Sequence, residues 1–583
     1  MTGHRSDAIA DAAVGELRER LMDALRLITA TAIEIYKTES TWFATAEPRL
    51  QFITPLADGA DQIAAECAIE LGYTLIAVLP FEREHYRQEL VGNGALERFD
   101  ALLGQCDCVL ELPGDRASSF DAYVITGRAT VAHCDLIIAV WDGQKPRGRG
   151  GTGDVVELAI ARGTPVVHVP TDPARPARLM WAAFDPVVDT LGDDPMAERP
   201  LDAEHIGEVV KALVVPPPDP EERRSLATFE QERIGRMRGR IEYPLLLAAA
   251  GVSRFDARKF RGSAAAAAIE EEWRRFRDGC LCHQPLSTPL DLLERSYSWA
   301  DQLASHFAQT YRSGHIFNFV LGGIAVCLGL SAFMAPHAKF EFAIAEFLIA
   351  LAIIINTAVG KRNQWHRRWL DYRQLAERLR PMRSLKLLAL AAPDPPGTST
   401  NPIPRRWIDW YASGVWRALG CPSGSMNAER AAQTAIAVAD FEIAPQVAYH
   451  ERHAREIEAL DHRLELVGGL LFVATLAVSI AIVVGLWFAP EVTERYSDWA
   501  TLVSAGFPAL GTAVFGIRFQ ADFGGSAQRS HGTANALRQI EKELKKGVTL
   551  GRASDLVEQG ARRMLADLDE WRLVNQRRDL EVG

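Results

Sequence analysis

The sequence predicts an α/β N-terminal domain with a doubly wound, mostly parallel sheet, followed by a mainly α-helical membrane region with four transmembrane helices in two hairpins. Up to residue 170, short apolar runs alternate with helical stretches, which is typical of a parallel sheet covered on both faces. Two long apolar stretches joined by a short polar turn occupy residues 316–359. A second such pair lies at residues 466–517, so the membrane region is predicted to contain a repeated unit.

The α/β domain begins with a predicted amphipathic helix between residues 7 and 37, where Leu17, Leu21 and Leu25 recur at helical spacing. Five short apolar runs follow. They predict strands at 50–54, 74–79, 108–111, 136–141 and 165–169. Because ligands of such sheets bind outside the carboxyl ends of the strands, the polar loops at those ends form the candidate site.

Three polar loops follow predicted strands. Residues 58–61 (Asp-Gly-Ala-Asp) lead directly into a helix, whose first N–H groups attract anions. Residues 141–143 (Trp-Asp-Gly) follow another strand. Residues 148–154 (Gly-Arg-Gly-Gly-Thr-Gly-Asp) are rich in glycine and open a further helix.

The last of these loops has the composition of a phosphate-binding turn. Its glycines allow a phosphate to approach the backbone, Thr152 adds a hydroxyl donor, and Arg147 and Arg149 add positive charge. A helix-capping turn with Asp154 near the helix N-terminus explains the same loop equally well when it is considered alone. The convergence of three such loops at one edge of a sheet favours the ligand site.

Five motifs occur in an order that resembles the SLOG superfamily, the Rossmann-like domains related to lysine-decarboxylase-like LOG proteins and the DNA-processing protein DprA. The motifs lie at 2–5 (Thr-Gly-His-Arg), 55–61 (Pro-Leu-Ala-Asp-Gly-Ala-Asp), 79–81 (Leu-Pro-Phe), 139–143 (Ala-Val-Trp-Asp-Gly) and 150–152 (Gly-Gly-Thr). The resemblance implies a Rossmann-like fold and a nucleotide or nucleotide-derived ligand. The ligand-binding residues predicted from the loops and the resemblance are Gly3, His4, Arg5, Asp58, Gly59, Asp61, Trp141, Asp142, Gly143, Arg147, Gly150, Gly151 and Thr152.

Two departures from the SLOG pattern bear on activity and fold. The LOG phosphoribohydrolases carry Pro-Gly-Gly-x-Gly-Thr-x-x-Glu, whereas here Glu157 follows Thr152 by five residues, which argues against hydrolysis. If the protein is an enzyme, the candidate acids and bases are Asp61, Asp142 and Glu157. The family also has a first strand before the motif at 2–5, so either the true start lies upstream of Met1 or the sheet lacks a central strand.

The four predicted spans are 316–334, 340–359, 466–488 and 499–517. Eighteen or more apolar residues cross the hydrocarbon layer as a helix that satisfies its own backbone; a buried soluble hairpin is the alternative. Basic residues cluster beside the two ends of each hairpin that lie away from its turn. This charge distribution predicts that the N- and C-terminal parts lie in the cytoplasm. Within the spans, the carboxylate of Glu346 is a functional candidate, and Pro508 is expected to kink its helix.

Each hairpin is preceded by an amphipathic helix and followed by a polar helix, which indicates an internal duplication. The predicted organisation is a ligand-sensing domain at 1–175, a linker and mixed helical region at 176–285, a first membrane unit at 286–395, a connector at 396–445 and a second membrane unit at 446–583.

This organisation resembles the SLATT group, SLOG-associated two-transmembrane proteins that are expected to act as effectors in bacterial conflict systems. The resemblance implies a bacterial inner-membrane protein that senses a nucleotide-derived ligand, assembles as a homo-oligomer and opens or disrupts the lipid bilayer in antiphage defence. A membrane-anchored nucleotide N-glycosidase or phosphoribohydrolase and a membrane-tethered scaffold without a small ligand are the alternatives. The net charge of −11 argues against nucleic acid as a partner, and we expect no cofactor and no metal site.

Overall fold

The computed structural model describes residues 1–10, 13–90, 94–115, 119–144, 149–181, 198–233, 240–256, 262–281, 286–287, 289–393 and 406–575. Arg147, one of the predicted ligand-binding residues, lies outside these ranges, as do residues 394–405 of the predicted connector.

Within the described residues, ten strands form two five-stranded parts of an α/β core, and most neighbours are parallel. In one part the order is β1-β5-β6-β7-β8, and in the other it is β2-β3-β4-β10-β9. Among these strands, the pairs that involve β7, β8 and β9 are antiparallel and the others are parallel. The strands are β1 (Thr2–Gly3), β2 (Gln51–Thr54), β3 (Thr74–Leu79), β4 (Cys106–Glu111), β5 (Ile137–Trp141), β6 (Val166–Pro170), β7 (Arg178–Met180), β8 (Glu198–Pro200), β9 (Leu286–Ser287) and β10 (Ser423–Ser425).

The short strand β1 lies between the two parts of the sheet. Thr2 is in register with Ala139 of β5, and the amino group of Met1 donates to the carbonyl of Ile53 in β2 at 2.7 Å. The first half of the motif at 2–5, which was expected to follow the first strand, therefore forms a strand itself, and His4 and Arg5 follow it. Since β1 contributes only two residues, β2 and β5 are held together here over a short length.

Helices cover both faces of the sheet, which confirms the predicted doubly wound α/β class. In β3, Leu75, Ala77 and Leu79 belong to the core on one face, whereas Ile76 and Val78 belong to the core on the other. This alternation follows from the period of two along a strand. The first ten helices are α1 (Val14–Thr38), α2 (Ala60–Glu70), α3 (Arg83–Arg87), α4 (Ala95–Leu103), α5 (Ser119–His133), α6 (Thr152–Ala161), α7 (Ala203–Val214), α8 (Pro220–Gln231), α9 (Glu242–Ala249) and α10 (Gly262–Phe276).

Apart from β9 and β10, the regular structure of the remaining described chain is helical, and four of its helices are long and apolar enough to cross a membrane, as predicted. The predicted spans fall within α11, α12, α17 and α19. The helices are α11 (Asp291–Met334), α12 (Lys339–Arg362), α13 (Trp365–Leu379), α14 (Met382–Leu388), α15 (Trp407–Ala418), α16 (Ala428–Val438), α17 (Ala444–Phe488), α18 (Pro490–Arg495), α19 (Ser497–Ala521), α20 (Phe523–Leu544) and α21 (Leu550–Asn575).

The spanning helices pack side by side in the order α12, α11, α19, α17. Gly323 of α11 allows a close approach of α19, because a Cβ there would lie 3.1 Å from Leu510 and 3.5 Å from Ala513. The outer helices α12 and α17 expose large apolar side chains; Phe347 is 65% exposed and Val483 is 69% exposed. Such faces are compatible with a surrounding lipid bilayer.

The two membrane units share a layout. In each, one long helix contains both the amphipathic extension and the first span, and the helix after the hairpin packs back on that extension: α13 on α11, and α20 on α17. The junctions also match, because Gln364 before α13 and Asp522 before α20 both have left-handed backbone angles, with φ of 48° and 46°. These shared features agree with the predicted duplication.

The α/β sheet does not end within residues 1–175. The strand β10, from the region between the two membrane units, pairs in parallel with β4, and β9 pairs with β10. The Sγ of Cys108 in β4 lies 3.4 Å from the carbonyl oxygen of Cys421, just before β10. The membrane half of the chain therefore completes the edge of the N-terminal sheet.

Candidate ligand-binding site

A cavity of about 460 Å³ lies at the carboxyl ends of β1 and β5, where the three predicted loops meet. The structure thus brings together residues separated by up to 150 positions along the chain, because the carboxyl ends of parallel strands share one edge of the sheet. Of the predicted residues, those that line the cavity are Gly3, His4, Arg5, Asp61, Trp141, Asp142, Gly150, Gly151 and Thr152.

The backbone after β1 is fixed from two sides. The N–H of His4 donates to the carbonyl of Val140 at 3.0 Å, and the carbonyl of His4 accepts from the N–H of Ala60 at 3.1 Å. Gly59 has a φ of 92°, and a Cβ there would lie 2.5 Å from the nitrogen of Ser6 and 2.7 Å from the carbonyl carbon of Arg5. Only glycine permits this contact between the first two loops.

Two helices begin at the cavity without a side-chain cap. Gly59 precedes α2, Gly151 precedes α6, and neither residue offers a side chain to the first turn. The first residues of both helices, Asp61 in α2 and Thr152 with Gly153 in α6, line the cavity wall. The partial positive charge of two helix N-termini therefore acts on the same space, which suits an anionic group.

Two buried polar groups in the cavity wall have no hydrogen-bond partner within the described residues. They are the Oδ1 atom of Asp61, a residue that is 3% exposed, and the hydroxyl of Tyr86, a residue that is 1% exposed. Burial raises the pKa of Asp61 to about 7, and the positive charges of the Met1 amino group and Arg5 only partly oppose this shift. Because a buried polar atom without a partner is costly, both groups are suited to binding a ligand.

Arg5 brings a positive charge to the cavity and is held there by an aromatic residue. Its Nη2 donates to the hydroxyl of Tyr123 at 2.6 Å, and its guanidinium carbon lies 5.2 Å from the centroid of that ring. Its Nε is 4.0 Å from Oδ1 of Asp58, and the other carboxylate oxygen of Asp58, Oδ2, accepts a hydrogen bond from the hydroxyl of Ser6. Asp58 thus orients Arg5 from outside the cavity lining.

A histidine and a carboxylate lie together at the end of β5. Nε2 of His4 is 3.4 Å from Oδ1 of Asp142, and the backbone N–H of Asp142 points to the same nitrogen at 3.3 Å. Trp141 lies next to them, with its indole N–H donating to the carbonyl of Gln144 at 3.0 Å. This arrangement places an imidazole and an aromatic edge beside the anion-attracting helix termini.

Other predicted residues have different positions. Gly143 forms the turn after Asp142 with a φ of 79°, and it is not among the lining residues. Glu157 is exposed on α6 and is also outside the lining, so among the proposed acids and bases only Asp61 and Asp142 reach the cavity. The glycine-rich turn is pinned by the side chain of Asp154, which accepts from the N–H of Gly150 at 2.6 Å.

Sequence reasoning missed the part of the cavity that is formed by helix interiors. Tyr86 in α3 and Tyr123, Thr126 and Thr130 in α5 line the cavity, yet none lies in a loop after a strand. Their sequence signal is weak, since a single aromatic or threonine in a helix is more often part of the core. Arg149 lines the cavity as expected, and it lies 3.5 Å from Asp121 at the exposed start of α5.

The helices α5 and α6 connect the cavity to the membrane half. Arg128 of α5 lies 2.8 Å from Asp555 of α21, and Nη2 of Arg162, at the end of α6, donates to both carboxylate oxygens of Glu558 at 2.6 and 2.7 Å. In turn, α21 packs against α13, α14 and α20. A movement of α5 or α6 would therefore act directly on α21, which contacts α13 and α20, the helices that follow the two hairpins.

Residues 295–385 match a protein family described as "Protein of unknown function (DUF4231)". The match spans most of α11, all of α12 and α13, and part of α14, which together form the first hairpin and the helices beside it. No curated protein and no solved structure matches the chain.

Proposed function

We propose that this protein is a ligand-gated membrane effector, in which a SLOG-type α/β domain binds a nucleotide-derived signal and SLATT-type hairpins respond by opening or disrupting a bacterial inner membrane. The observation that carries the proposal is the cavity in which Asp61 and Tyr86 present polar groups without partners beside two uncapped helix N-termini.

The cavity fits the chemistry of a nucleotide. A volume of about 460 Å³ lies within the range of small-molecule sites, roughly 300–1,000 Å³. The helix termini and Arg5 favour a phosphate group, while the rings of Tyr123 and Trp141 offer surfaces for a base. The carboxyl of Asp61 and the hydroxyl of Tyr86 supply hydrogen bonds that distinguish one ligand from another.

The contacts of α21 support a route from ligand to membrane. A ligand alters the equilibrium between two states only if it binds one of them more tightly. Residues of α5 and α6 form both the cavity wall and the ion pairs to α21, so ligand binding acts on the position of α21. Because α21 packs on α13 and α20, a movement of α21 displaces the helices that follow the two hairpins.

The exposed apolar faces of α12 and α17 support contact with lipid and assembly with further copies of the chain. Basic residues at the hairpin ends that lie away from the turn, among them Lys361, Arg362 and Arg463, support an orientation with those ends and the α/β domain in the cytoplasm.

The proposal is tested with full-length protein in dye-loaded liposomes. Labelled nucleotides are first titrated to measure binding, and the bound nucleotide is then added to the liposomes. We expect dye release that depends on both the ligand and the cavity, so that Gly151→Glu abolishes binding and release together. Leakage that is independent of every nucleotide tested, or nucleotide binding that leaves the bilayer intact, would overturn the proposal.

Nucleotide hydrolysis is a second candidate, and the buried carboxyl of Asp61 favours it. A carboxyl with a pKa of about 7 exchanges protons near neutral pH, as a general acid or base must. Release of base or phosphate from a nucleotide by the full-length protein, lost in Asp61→Asn, would support this candidate over simple binding.

A further inference from the structure

A second cavity, of about 510 Å³, lies at the base of the spanning helices, on the side of the α/β sheet. We call it the basal cavity. It is bounded by both membrane units: Arg312 and His315 come from α11, His366 from α13, and His450 and His453 from α17. Side chains of α9, α19, α20 and α21 complete its wall.

Arg312 brings a positive charge to the basal cavity, and no carboxylate of the described residues lies within 4.0 Å of its guanidinium nitrogens, although Asp256 and Glu377 line the same cavity. Its guanidinium lies between two rings, 5.2 Å from the centroid of Tyr243 and 5.1 Å from that of Trp369. Another arginine in the wall, Arg373, is already paired, at 2.6 Å from Glu377 and 3.4 Å from Asp301. Arg312 is thus held in place by aromatic contacts while its N–H groups remain available to an anion.

Imidazole nitrogens in the same wall also have no partner within the described residues. Nε2 of His315 and Nδ1 of His450 are buried without a hydrogen bond, and His315 is 6% exposed. The amide nitrogen of Gln520, near the end of the last span, is also buried without a hydrogen-bond partner among the described residues. Such groups are costly to bury unless a ligand satisfies them.

The position of the basal cavity corresponds to the boundary of the bilayer. His315 immediately precedes the first span, and Gln520 follows the last. The helix α9 covers the cavity with Tyr243 and Leu247, while Ile241 and Leu245 point their apolar side chains outwards, at 43% and 45% exposed. A short segment with apolar side chains on its exposed side, as here, is suited to contact with lipid at the boundary of the bilayer.

We infer that the basal cavity binds a phosphate group, with Arg312 as the charged ligand and His315, His450 and Gln520 as hydrogen-bonding partners. A guanidinium presents paired N–H groups that match phosphate oxygens. The phosphate comes either from the headgroup of an anionic phospholipid or from a free phosphate compound. Because both membrane units contribute to the wall, the bound phosphate holds them together at this point.

The inference is independent of the nucleotide cavity and is tested on the full-length protein in dodecyl maltoside, a detergent without phosphate. One arm measures retention of phosphatidylglycerol by native mass spectrometry against an uncharged galactolipid. The other arm titrates inorganic phosphate against chloride at equal ionic strength and follows the apparent unfolding temperature. Retention of the anionic lipid alone identifies a headgroup site, and stabilisation by inorganic phosphate identifies a site for free phosphate.

Three variants decide whether the basal cavity is responsible. Arg312→Gln is expected to weaken phosphate binding by about tenfold or more, whereas Arg312→Lys keeps the charge and loses less. Arg362→Gln is the matched control, since Arg362 is an exposed cation at the end of α12 outside the cavity. Absence of binding in both arms, or equal losses in Arg312→Gln and Arg362→Gln, would overturn the inference.

Discussion

Arg162 and Glu558 are 396 positions apart in the chain, yet Nη2 of the arginine donates to both oxygens of the glutamate at 2.6 and 2.7 Å. Both side chains are largely buried, at 16% and 8% exposed. The pair joins the end of α6, which begins at the candidate cavity, to α21, which packs on α13 and α20, the helices that follow the two hairpins. It is one of several polar contacts between the α/β domain and the membrane half, together with Arg128–Asp555 and the pairing of β4 with β10.

Arg162→Ala is expected to separate ligand binding from the membrane response. The cavity lies at the other end of α6, so nucleotide affinity should change by less than about threefold, while ligand-triggered dye release falls by about tenfold or more. Arg178→Ala is the control, because Arg178 pairs with Glu198 on the exposed edge of the same sheet. Equal dye release from Arg162→Ala and the wild type would exclude this pair from the coupling.

Tyr86→Phe removes a buried hydroxyl that has no partner in the absence of ligand. We expect unchanged or slightly increased stability, together with a loss of ligand affinity of about tenfold, the value of one hydrogen bond. Tyr73→Phe should lower stability and leave ligand affinity unchanged. The hydroxyl of Tyr73 hydrogen-bonds to Thr29 and to the carbonyl of Leu25, far from the cavity. Calorimetric titration and thermal unfolding measure the two quantities. A destabilised Tyr86→Phe with full affinity would contradict the assignment.

Asp61→Asn should change how stability depends on pH. The folded pKa of Asp61 is about 7, above its ordinary value of 3.8, so its contribution to stability is fully present below pH 3.8 and is lost as the pH rises to about 7. The variant avoids this loss. Its free energy of unfolding should therefore exceed that of the wild type by an amount that grows between pH 3.8 and 7, towards an upper limit of roughly 4 kcal/mol. Unfolding temperatures measured between pH 4 and 8 test this. An identical pH dependence of stability in Asp61→Asn and the wild type would contradict this assignment.

Gly59→Ala should be more damaging than Gly72→Ala, although both glycines have a positive φ, of 92° and 80°. An alanine at position 72 meets no atom within 4 Å, so its cost is the backbone strain alone, about 1–2 kcal/mol. An alanine at position 59 also collides with the backbone of Arg5 and Ser6. We expect a lower unfolding temperature and weaker nucleotide binding for Gly59→Ala. Equal behaviour of the two variants would show that the loop contact is not required.

Glu346→Gln should alter the membrane response without affecting nucleotide binding. The Glu346 carboxylate lies towards α11, with its oxygens 3.6 and 3.7 Å from the point where a Cβ on Gly329 would stand. Since a carboxylate within a span is costly in lipid, we expect its removal to change ligand-triggered dye release several-fold, about 2–10 times. Glu341→Gln is the control, because Glu341 lies in the first turn of α12. Unchanged dye release from Glu346→Gln would show that this carboxylate has no part in the membrane response.

Several elements were predictable because a single physical requirement acts on a local stretch of sequence. The spans follow from the length of apolar helix that lipid demands, and the predicted ends at residues 334 and 488 coincide with the ends of α11 and α17. The loops of the candidate site were predictable because a parallel sheet gathers them at one edge. The kink expected at Pro508 and the oligomeric state stay predictions.

Other elements carry no local pattern. The strand β10 consists of Ser423, Gly424 and Ser425, which have neither alternation nor apolar character, and it forms because β4 offers an open edge. The basal cavity also could not be predicted from a local stretch of sequence, since Arg312 and the histidines of its wall are spread between residues 312 and 453. Their meeting depends on how α11, α13 and α17 pack.

The amino-acid sequence alone determined the doubly wound α/β class, the four helices that are long and apolar enough to cross a membrane, and the three loops that meet at the candidate cavity, because strand period, span length and glycine-rich turns are local properties. Only the tertiary structure decided that the membrane half completes the N-terminal sheet, that Arg162 meets Glu558, and that Tyr86 and Asp61 share one cavity. These relationships arise from packing between distant segments, where shape and burial rather than neighbouring residues select the partner.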